Sequence, residues 1–158
     1  MSKKLPKVER LIRETYLAMI KNSLGSKMFQ NFYIYTKANK KIDVMRGGEV
    51  SCAFYVSSIL AILGLIKAAH GRVDITVEDL KKSGWEKTSI SKVGAVIVWH
   101  KFDFGDGDPR QHIGFYVGNH QAVSNDYKKR CPIKHDLTYH GQRKIKAFYW
   151  HKKLEENS

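Results

Sequence analysis

Two residues of this sequence, Cys52 and His112, stand in local settings that suit nucleophilic chemistry. Cys52 follows Gly47 and Gly48 and opens an apolar segment, residues 53–65, that is compatible with a helix throughout. In the first turn of a helix, unpaired backbone N–H groups and the positive end of the helix dipole favour a thiolate. His112 begins a strand-like segment directly after a turn-rich loop. An imidazole next to a thiol can take its proton and later return it to a leaving group, so these residue types indicate thiol acyl-transfer chemistry.

A structural interpretation of Cys52 stays open, because free cysteine is among the most buried residue types and often acts as a small hydrophobe. The other cysteine is Cys131, so no disulfide framework is implied, and one bridge would consume the candidate nucleophile. Cys131 with His135 and His140 lacks the paired spacing of structural zinc sites, so we expect no metal. The thiol chemistry itself needs no cofactor.

Hydrophobic periodicity predicts the elements that must position the two residues. Residues 6–23 carry apolar side chains at helical spacing and predict an amphipathic helix. Residues 52–66 are apolar nearly all round, which predicts a buried central helix with Ser51 as its N-cap. Strand periodicity follows in residues 94–150. We therefore expect one α+β domain over residues 1–158, with helices first and an antiparallel sheet after them.

Shorter patterns complete this layout. A helix is predicted to begin after Thr76 and to end before Gly84. Residues 28–45 are rich in aromatic residues and predict a short strand or an irregular loop, in which Tyr33 or Tyr35 could line a cleft; we assign Tyr35 to substrate binding. Four strands are predicted, at residues 94–99, 112–117, 121–125 and 145–150.

Three segments resemble, in the same order, motifs of the NlpC-type, papain-like cysteine peptidases, whose relatives include CHAP amidases. They are SCAFYV at residues 51–56, GAVIVW at residues 94–99 and HIGFYVG at residues 112–118. The family patterns are D-C-S-G-[FY]-V, G-D-[LV]-V-[FW]-[FW] and H-[VI]-G-[IF]-Y-[LVI]-G. Ser51 and Ala95 stand where the family has aspartate. The resemblance implies a papain-like fold with Cys52 as nucleophile and His112 as acid and base.

The resemblance also implies a third polar residue that orients the histidine from the next strand, about a dozen positions further on. This position falls on Ser124 or Asn125. A side-chain amide accepts a hydrogen bond from an imidazole N–H better than a hydroxyl does, so we assign Asn125 to the catalytic set. Ser124 is assigned to substrate binding, together with His135, which could approach the site from a neighbouring basic tract.

The net charge is the unusual bulk property, since 28 Lys and Arg residues against 15 Asp and Glu residues give +13. A field of this sign concentrates polyanions, which could be nucleic acid, anionic lipid or an anionic cell-wall polymer. Residues 128–153 form the most basic tract, with Asp136 as its one acid. Glu9 and Arg13 interrupt the N-terminal apolar residues, so we expect no secretory signal and no membrane span, and a chain that is cytoplasmic as synthesised. We also expect a monomer.

These observations leave three interpretations of function. The first is a cysteine peptidase or amidase that hydrolyses amide bonds in peptidoglycan stem peptides. The second is a basic module that keeps the papain-like scaffold and binds nucleic acid through residues 128–153 and aromatic residues such as Tyr139 and Tyr149. The third is a thiol acyltransferase with the same Cys-His dyad, which the sequence does not separate from a hydrolase because the cleft selects the acceptor.

Overall fold

The computed structural model describes residues 10–103 and 105–155. Over these residues the chain forms three α-helices: α1 (Ile12–Asn22), α2 (Cys52–Ile62) and α3 (Val73–Lys82). The predicted helix over residues 6–23 corresponds to α1, and its first residues, 6–9, lie outside the described part of the chain.

The other two helices differ from their predicted bounds at one end each. α2 begins at Cys52 but ends at Ile62 instead of residue 66, and Gly64 just beyond it has a φ of 67°, a left-handed backbone that is typical of a helix terminus. α3 begins at Val73, three residues before Thr76. The Thr76 hydroxyl does not cap α3, because it donates a hydrogen bond of 2.7 Å to the Arg72 carbonyl one turn earlier.

The described residues form two antiparallel sheets. The strands are β1 (Tyr33–Tyr35), β2 (Lys41–Asp43), β3 (Glu86–Thr88), β4 (Val96–Phe102), β5 (Arg110–Gly118), β6 (Gln121–Asp126), β7 (Cys131–Asp136) and β8 (Ile145–Trp150). Six strands pair in the spatial order β3-β8-β4-β5-β6-β7, and β1 and β2 form a separate hairpin. The fold is therefore mixed α+β with antiparallel sheets, as the sequence predicts.

The four predicted strands correspond to β4, β5, β6 and β8, whereas β3 and β7 are not predicted. β7 contains Pro132, which argues against a strand because proline lacks the N–H that a central strand must donate. β7 can contain Pro132 because it lies at the edge of the sheet. The Pro132 carbonyl accepts a hydrogen bond from Gly25 N at 2.8 Å. β3, at the opposite edge, is short and polar.

α2 packs against one face of the six-stranded sheet and forms the main core. Its buried side chains include Tyr55, Val56, Ile59 and Leu60, which lie in one cluster with the strand residues Val96, Val98, Ile113, Phe115 and Val123. The alternate residues of the same strands, including Ile97 and Trp99, form a second buried cluster on the other face. Burial of both faces explains the uninterrupted apolar run at the start of β4.

The β1–β2 hairpin is fastened at its base by one carboxylate. Asp43 accepts hydrogen bonds from the backbone N–H groups of Phe32, Met45 and Gly47, at 2.9, 3.0 and 2.8 Å. Desolvation alone would raise the pKa of Asp43, but these hydrogen bonds outweigh it and lower the pKa to about 2. The hairpin is thereby fixed to the loop that leads into α2.

A second carboxylate, on α3, organises the loop between α2 and α3. Asp79 accepts hydrogen bonds from Lys67 N at 3.0 Å, Ala68 N at 3.2 Å and the Ser83 hydroxyl at 2.9 Å, and pairs with His70 Nε2 at 2.6 Å. Desolvation would raise the pKa of Asp79, but the hydrogen bonds from His70 and Lys67 dominate and lower it to about 2. The ionised form is therefore the one that the fold stabilises.

Replacement of Asp79 by Asn should lower the free energy of unfolding at neutral pH by about 1–3 kcal/mol, because an amide cannot accept all of these hydrogen bonds. A carboxylate with a lowered pKa contributes its stability above its unfolded pKa of 3.8 and loses it as the pH falls towards 2. The difference between wild type and Asp79→Asn in urea titrations should therefore shrink below about pH 4. Asp74→Asn, at an exposed position of the same helix, is the control, and a difference that stays constant down to about pH 2 would contradict the assignment.

Candidate active site

A cavity of about 760 Å³ opens between the start of α2, the start of α3 and one end of the large sheet. The two residues singled out for chemistry, Cys52 and His112, both line it, although they are far apart in the chain. Packing of α2 against β5 places both residues at the same cavity. Other residues that line the cavity include Ala53, Asn125, Tyr139 and Arg143.

Cys52 is the first residue of α2, and the loop before it is held by contacts that the sequence does not predict. Ser51 does not cap the helix with its side chain; its hydroxyl donates instead to the Phe29 carbonyl. The N–H groups of Cys52 and Ala53 face the thiol and lower its pKa, as does the N–H of Ile113 on β5. The first turn of α2 therefore presents hydrogen-bond donors at the sulfur.

The ionisation of Cys52 nevertheless differs from the prediction. Burial is the largest influence and raises the pKa of the Cys52 thiol above its ordinary value of 9.0, although the Ile113 N–H and the charge of Arg143 act in the opposite direction. The prediction of a thiolate at the start of α2 is therefore wrong, because the loss of hydration raises the pKa of the thiol by more than the N–H donors lower it. Cys52 is a protonated thiol at neutral pH.

His112 is also held in its neutral form. Its imidazole is 9% exposed and packs against the Trp99 indole with ring centroids 5.1 Å apart. Burial, followed by the nearby charge of Arg143 and the neighbouring His135, lowers the pKa of His112 well below its ordinary value of 6.5. A neutral imidazole that shares a cavity with a neutral thiol is in the form that a general base requires.

Ser124, not Asn125, is the hydrogen-bond partner of the His112 ring. His112 Nε2 lies 2.8 Å from Ser124 Oγ. The Asn125 amide points elsewhere and donates a 2.8 Å hydrogen bond to the Gly48 carbonyl, which ties β6 to the loop before α2. Adjacent residues of a strand face opposite sides, so only one of the two can meet His112. The assignment of Asn125 as the orienting residue is corrected accordingly, although Asn125 does line the cavity.

The three residues assigned to substrate binding are placed differently from the prediction. Ser124 is completely buried, so it lies behind His112 and not on the cavity surface. His135 is half-buried, and its Nε2 lies 2.7 Å from Ser124 Oγ. Tyr35 is 72% exposed on the β1–β2 hairpin, and the described residues that line the cavity do not include it.

Two residues that the sequence does not assign to the Cys52–His112 site, Tyr139 and Arg143, complete it. The Tyr139 hydroxyl lies 3.0 Å from Ser124 Oγ, and burial raises the pKa of Tyr139 to about 12. Arg143 is 6% exposed and donates through Nη2 to the Arg110 carbonyl at 2.7 Å, so its charge is held beside the thiol. Both residues belong to the basic tract, where an aromatic or a cation carries no distinguishing local signal.

The glycine of the HIGFYVG motif has a packing role. A Cβ atom on Gly114 would come within 2.7 Å of the Val123 carbonyl, 2.8 Å of Ser124 Cβ and 3.0 Å of the Trp99 ring. Gly114 therefore permits the close approach of β5 and β6 that brings Ser124 to His112.

The cavity holds a thiol, an imidazole and the N–H groups at the start of α2, which are the groups that base-assisted attack by a thiol requires. In residues 10–103 and 105–155 no group of three His, Cys, Asp or Glu side chains is placed to hold a metal ion. Both ring nitrogens of His135 are engaged by protein groups, Nε2 by Ser124 and Nδ1 by the Asp136 carbonyl.

None of the described helices has the length and apolar character that crossing a membrane requires.

Comparisons of the sequence with protein-family models and with curated proteins found no match.

Gly114→Ala should lower the free energy of unfolding by about 1–3 kcal/mol, because backbone and a buried side chain must shift to accept the methyl group. Gly71→Ala is the matched control, since its Cβ would meet the mobile end of Met45 at 3.2 Å. Urea titration of both variants measures the difference. A Gly114→Ala protein as stable as Gly71→Ala would show that the strands do not approach as described.

The pH dependence of Cys52 alkylation tests the ionisation of the thiol. In a Cys131→Ser background we expect iodoacetamide to react with a pH midpoint above 9.0, because the thiolate is the reactive form and the pKa of Cys52 is raised. Arg143→Gln should move the midpoint higher, since the guanidinium charge lowers that pKa, and Arg143→Lys should move it less.

Initial rates from about pH 6 to about pH 11, followed by mass spectrometry of the labelled protein, provide the measurement. A midpoint below about pH 8 would indicate a resting thiolate–imidazolium pair and would contradict the neutral pair described here.

Proposed function

We propose that this chain is a papain-like cysteine hydrolase, a peptidase or amidase that cleaves amide bonds in peptidoglycan stem peptides. The observation that carries the proposal is the shared cavity of Cys52 and His112, with His112 held from behind by Ser124. The resemblance of residues 112–118 to the NlpC-type motif supports the same class.

In the proposed reaction Cys52 attacks the amide carbonyl while Nδ1 of His112 takes the thiol proton. The Nε2 atom is engaged by Ser124, which leaves Nδ1 as the ring nitrogen that is available for this transfer. The N–H groups of Cys52 and Ala53 stabilise the oxyanion that forms. His112 then returns the proton to the leaving amine, and a thioester to Cys52 remains. Water, deprotonated by His112, hydrolyses the thioester and regenerates the thiol.

Charges of both signs line the cavity, and this favours a peptide over a uniform polyanion as the bound substrate. A peptide with free carboxylate and ammonium groups can find partners of either sign there, whereas a nucleic-acid backbone would meet repulsion from the acids. The acidic residues are Glu49, Asp74, Asp108 and Asp126, and the basic residues are Arg72, Lys101, Arg110, Lys128 and Arg143.

The structure gives less support to the nucleic-acid interpretation. The basic tract of residues 128–153 includes β7 and β8, which are separated by β6, β5 and β4 in the large sheet, so its cations do not form one stripe. Tyr149 is 3% exposed and cannot stack on a base, while Tyr139 stacks on His135 with ring centroids 4.1 Å apart. The net charge of +13 is more consistent with a general electrostatic attraction of the protein to an anionic wall polymer than with specific binding of nucleic acid.

Digestion of purified peptidoglycan and of soluble muropeptides tests the proposal, with the released peptides identified by mass spectrometry. Cys52→Ala and His112→Ala should each lower kcat/KM by at least about 10³-fold, because each removes a group that participates in every step. Cys131→Ala is the matched cysteine control, and circular dichroism verifies that the variants fold. Activity that persists in Cys52→Ala would contradict a thiol mechanism.

The same assay in water enriched with ¹⁸O separates hydrolysis from acyl transfer. Hydrolysis places one labelled oxygen in the product carboxylate, whereas transfer to an added amine gives an unlabelled amide. We expect labelled product from the wild-type protein, and an amide as the main product would identify an acyltransferase instead.

A further inference from the structure

Ser124 is the centre of a hydrogen-bonded group that lies behind His112. Its Oγ is 2.8 Å from His112 Nε2, 2.7 Å from His135 Nε2 and 3.0 Å from the Tyr139 hydroxyl. Ser124 itself has no exposed surface, while His135 and Tyr139 are half-buried. A hydroxyl oxygen can donate one hydrogen bond and accept two, so three partners satisfy it completely.

The direction of each hydrogen bond follows from the far end of the group. His135 Nδ1 lies 2.7 Å from the Asp136 carbonyl, which can only accept, so Nδ1 carries a hydrogen. Burial keeps His135 neutral at neutral pH by lowering its pKa. In a neutral imidazole the other nitrogen has a lone pair, and His135 Nε2 is therefore an acceptor.

The Ser124 hydroxyl must then donate to His135 Nε2, because that is its partner without a hydrogen. Its two lone pairs remain for the N–H of His112 and the O–H of Tyr139. His112 accordingly carries its hydrogen on Nε2, and its Nδ1 is the basic nitrogen. This is the tautomer that can take a proton from Cys52.

We propose that His135 is a positioning residue that acts through Ser124 to select the productive tautomer of His112. The inference rests on the proposed function only for its effect on turnover, since the tautomer itself is a property of the protein alone. Without an acceptor at position 135, the Ser124 hydroxyl is able to rotate and donate to His112 Nε2. His112 would then carry its hydrogen on Nδ1 and could not act as the base.

The register of the strands explains how Ser124, His112 and His135 come together. Ser124 pairs with Ile133 and Ala122 pairs with His135 across β6 and β7, so His135 is the diagonal neighbour of Ser124 on the same face. Trp99 pairs directly with His112 across β4 and β5 and packs against both histidine rings. The edge strand β7 thus supplies the atom that orients a residue two strands away.

Two substitutions at position 135 separate hydrogen bonding from packing. His135→Phe keeps a ring against Tyr139 but removes the acceptor, whereas His135→Gln retains an acceptor oxygen. We expect His135→Phe to lower kcat by about 10–100-fold with little change in KM, and His135→Gln to recover most of that loss. His100→Phe, at an exposed position of β4, is the matched control.

The ¹⁵N chemical shifts of the His112 ring give a readout that is independent of activity. The wild-type protein and His135→Gln should show Nε2 protonated and Nδ1 bare, and His135→Phe should shift the population towards the Nδ1–H tautomer. Tyr139→Phe, which removes a donor but leaves the acceptor in place, should keep the wild-type tautomer and provides a second test if His135→Phe does not fold.

An unchanged His112 tautomer in folded His135→Phe, or Nδ1–H in the wild-type protein, would overturn the inference. A wild-type protein with the expected tautomer but no hydrolytic activity would instead contradict the proposed function and leave the tautomer assignment supported.

Discussion

Packing of α2 on the large sheet is the constraint from which the properties of the site follow. The helix buries Tyr55, Val56, Ile59 and Leu60 against the sheet, and burial of several such side chains is worth several kcal/mol. Cys52 cannot move independently of this packing because it is the first residue of the same helix. The thiol is consequently held in position with high precision, and it is desolvated for the same reason.

Desolvation of the Cys52 thiol determines what effect the neighbouring charge and backbone dipoles have on it. The donors at the start of α2 and the guanidinium of Arg143 do not maintain a resting thiolate, because burial has the larger effect on the pKa of Cys52. Under the proposed mechanism they are instead preorganised for the negative charge that develops on the sulfur and on the carbonyl oxygen. Since neither Cys52 nor His112 is charged at neutral pH, the site avoids the cost of a buried ion pair without substrate.

Side chains alternate between the two faces of the large sheet along each strand, and the two faces have different roles. On β5, Ile113 and Phe115 face the helix and belong to the main core, while His112 faces the second cluster with Trp99. The apolar face thus holds α2, which carries the proposed nucleophile, and the other face holds the polar group around His112.

The sequence predicts the α+β class, and it also indicates Cys52 and His112, which line one cavity, because a cysteine at a helix start and the pattern around His112 are local signals. It does not decide between Ser124 and Asn125, since neighbouring residues face opposite sides and the answer depends on strand register. The pairing of β5 with β6 is irregular between Tyr116 and Gly118, and a shift of one residue there exchanges the two faces.

Local sequence pattern also does not predict what β7 and the loop after it contribute to the site. Pro132 and the surrounding cations are typical of a loop, and only the edge position in the sheet makes a strand possible. Tyr139 and Arg143 come to the site from this region through tertiary packing. The ionisation of Cys52 likewise depends on depth of burial, which a helix-start pattern does not specify.

The protonated state of Cys52 has a chemical consequence for the lifetime of the protein. Peroxides and other oxidants attack thiolates, and successive oxidation of a cysteine to sulfinic and sulfonic acids is irreversible in most proteins. A thiol whose pKa is raised by burial presents little thiolate to such reagents at neutral pH. The packing that positions Cys52 therefore also protects its thiol from irreversible oxidation.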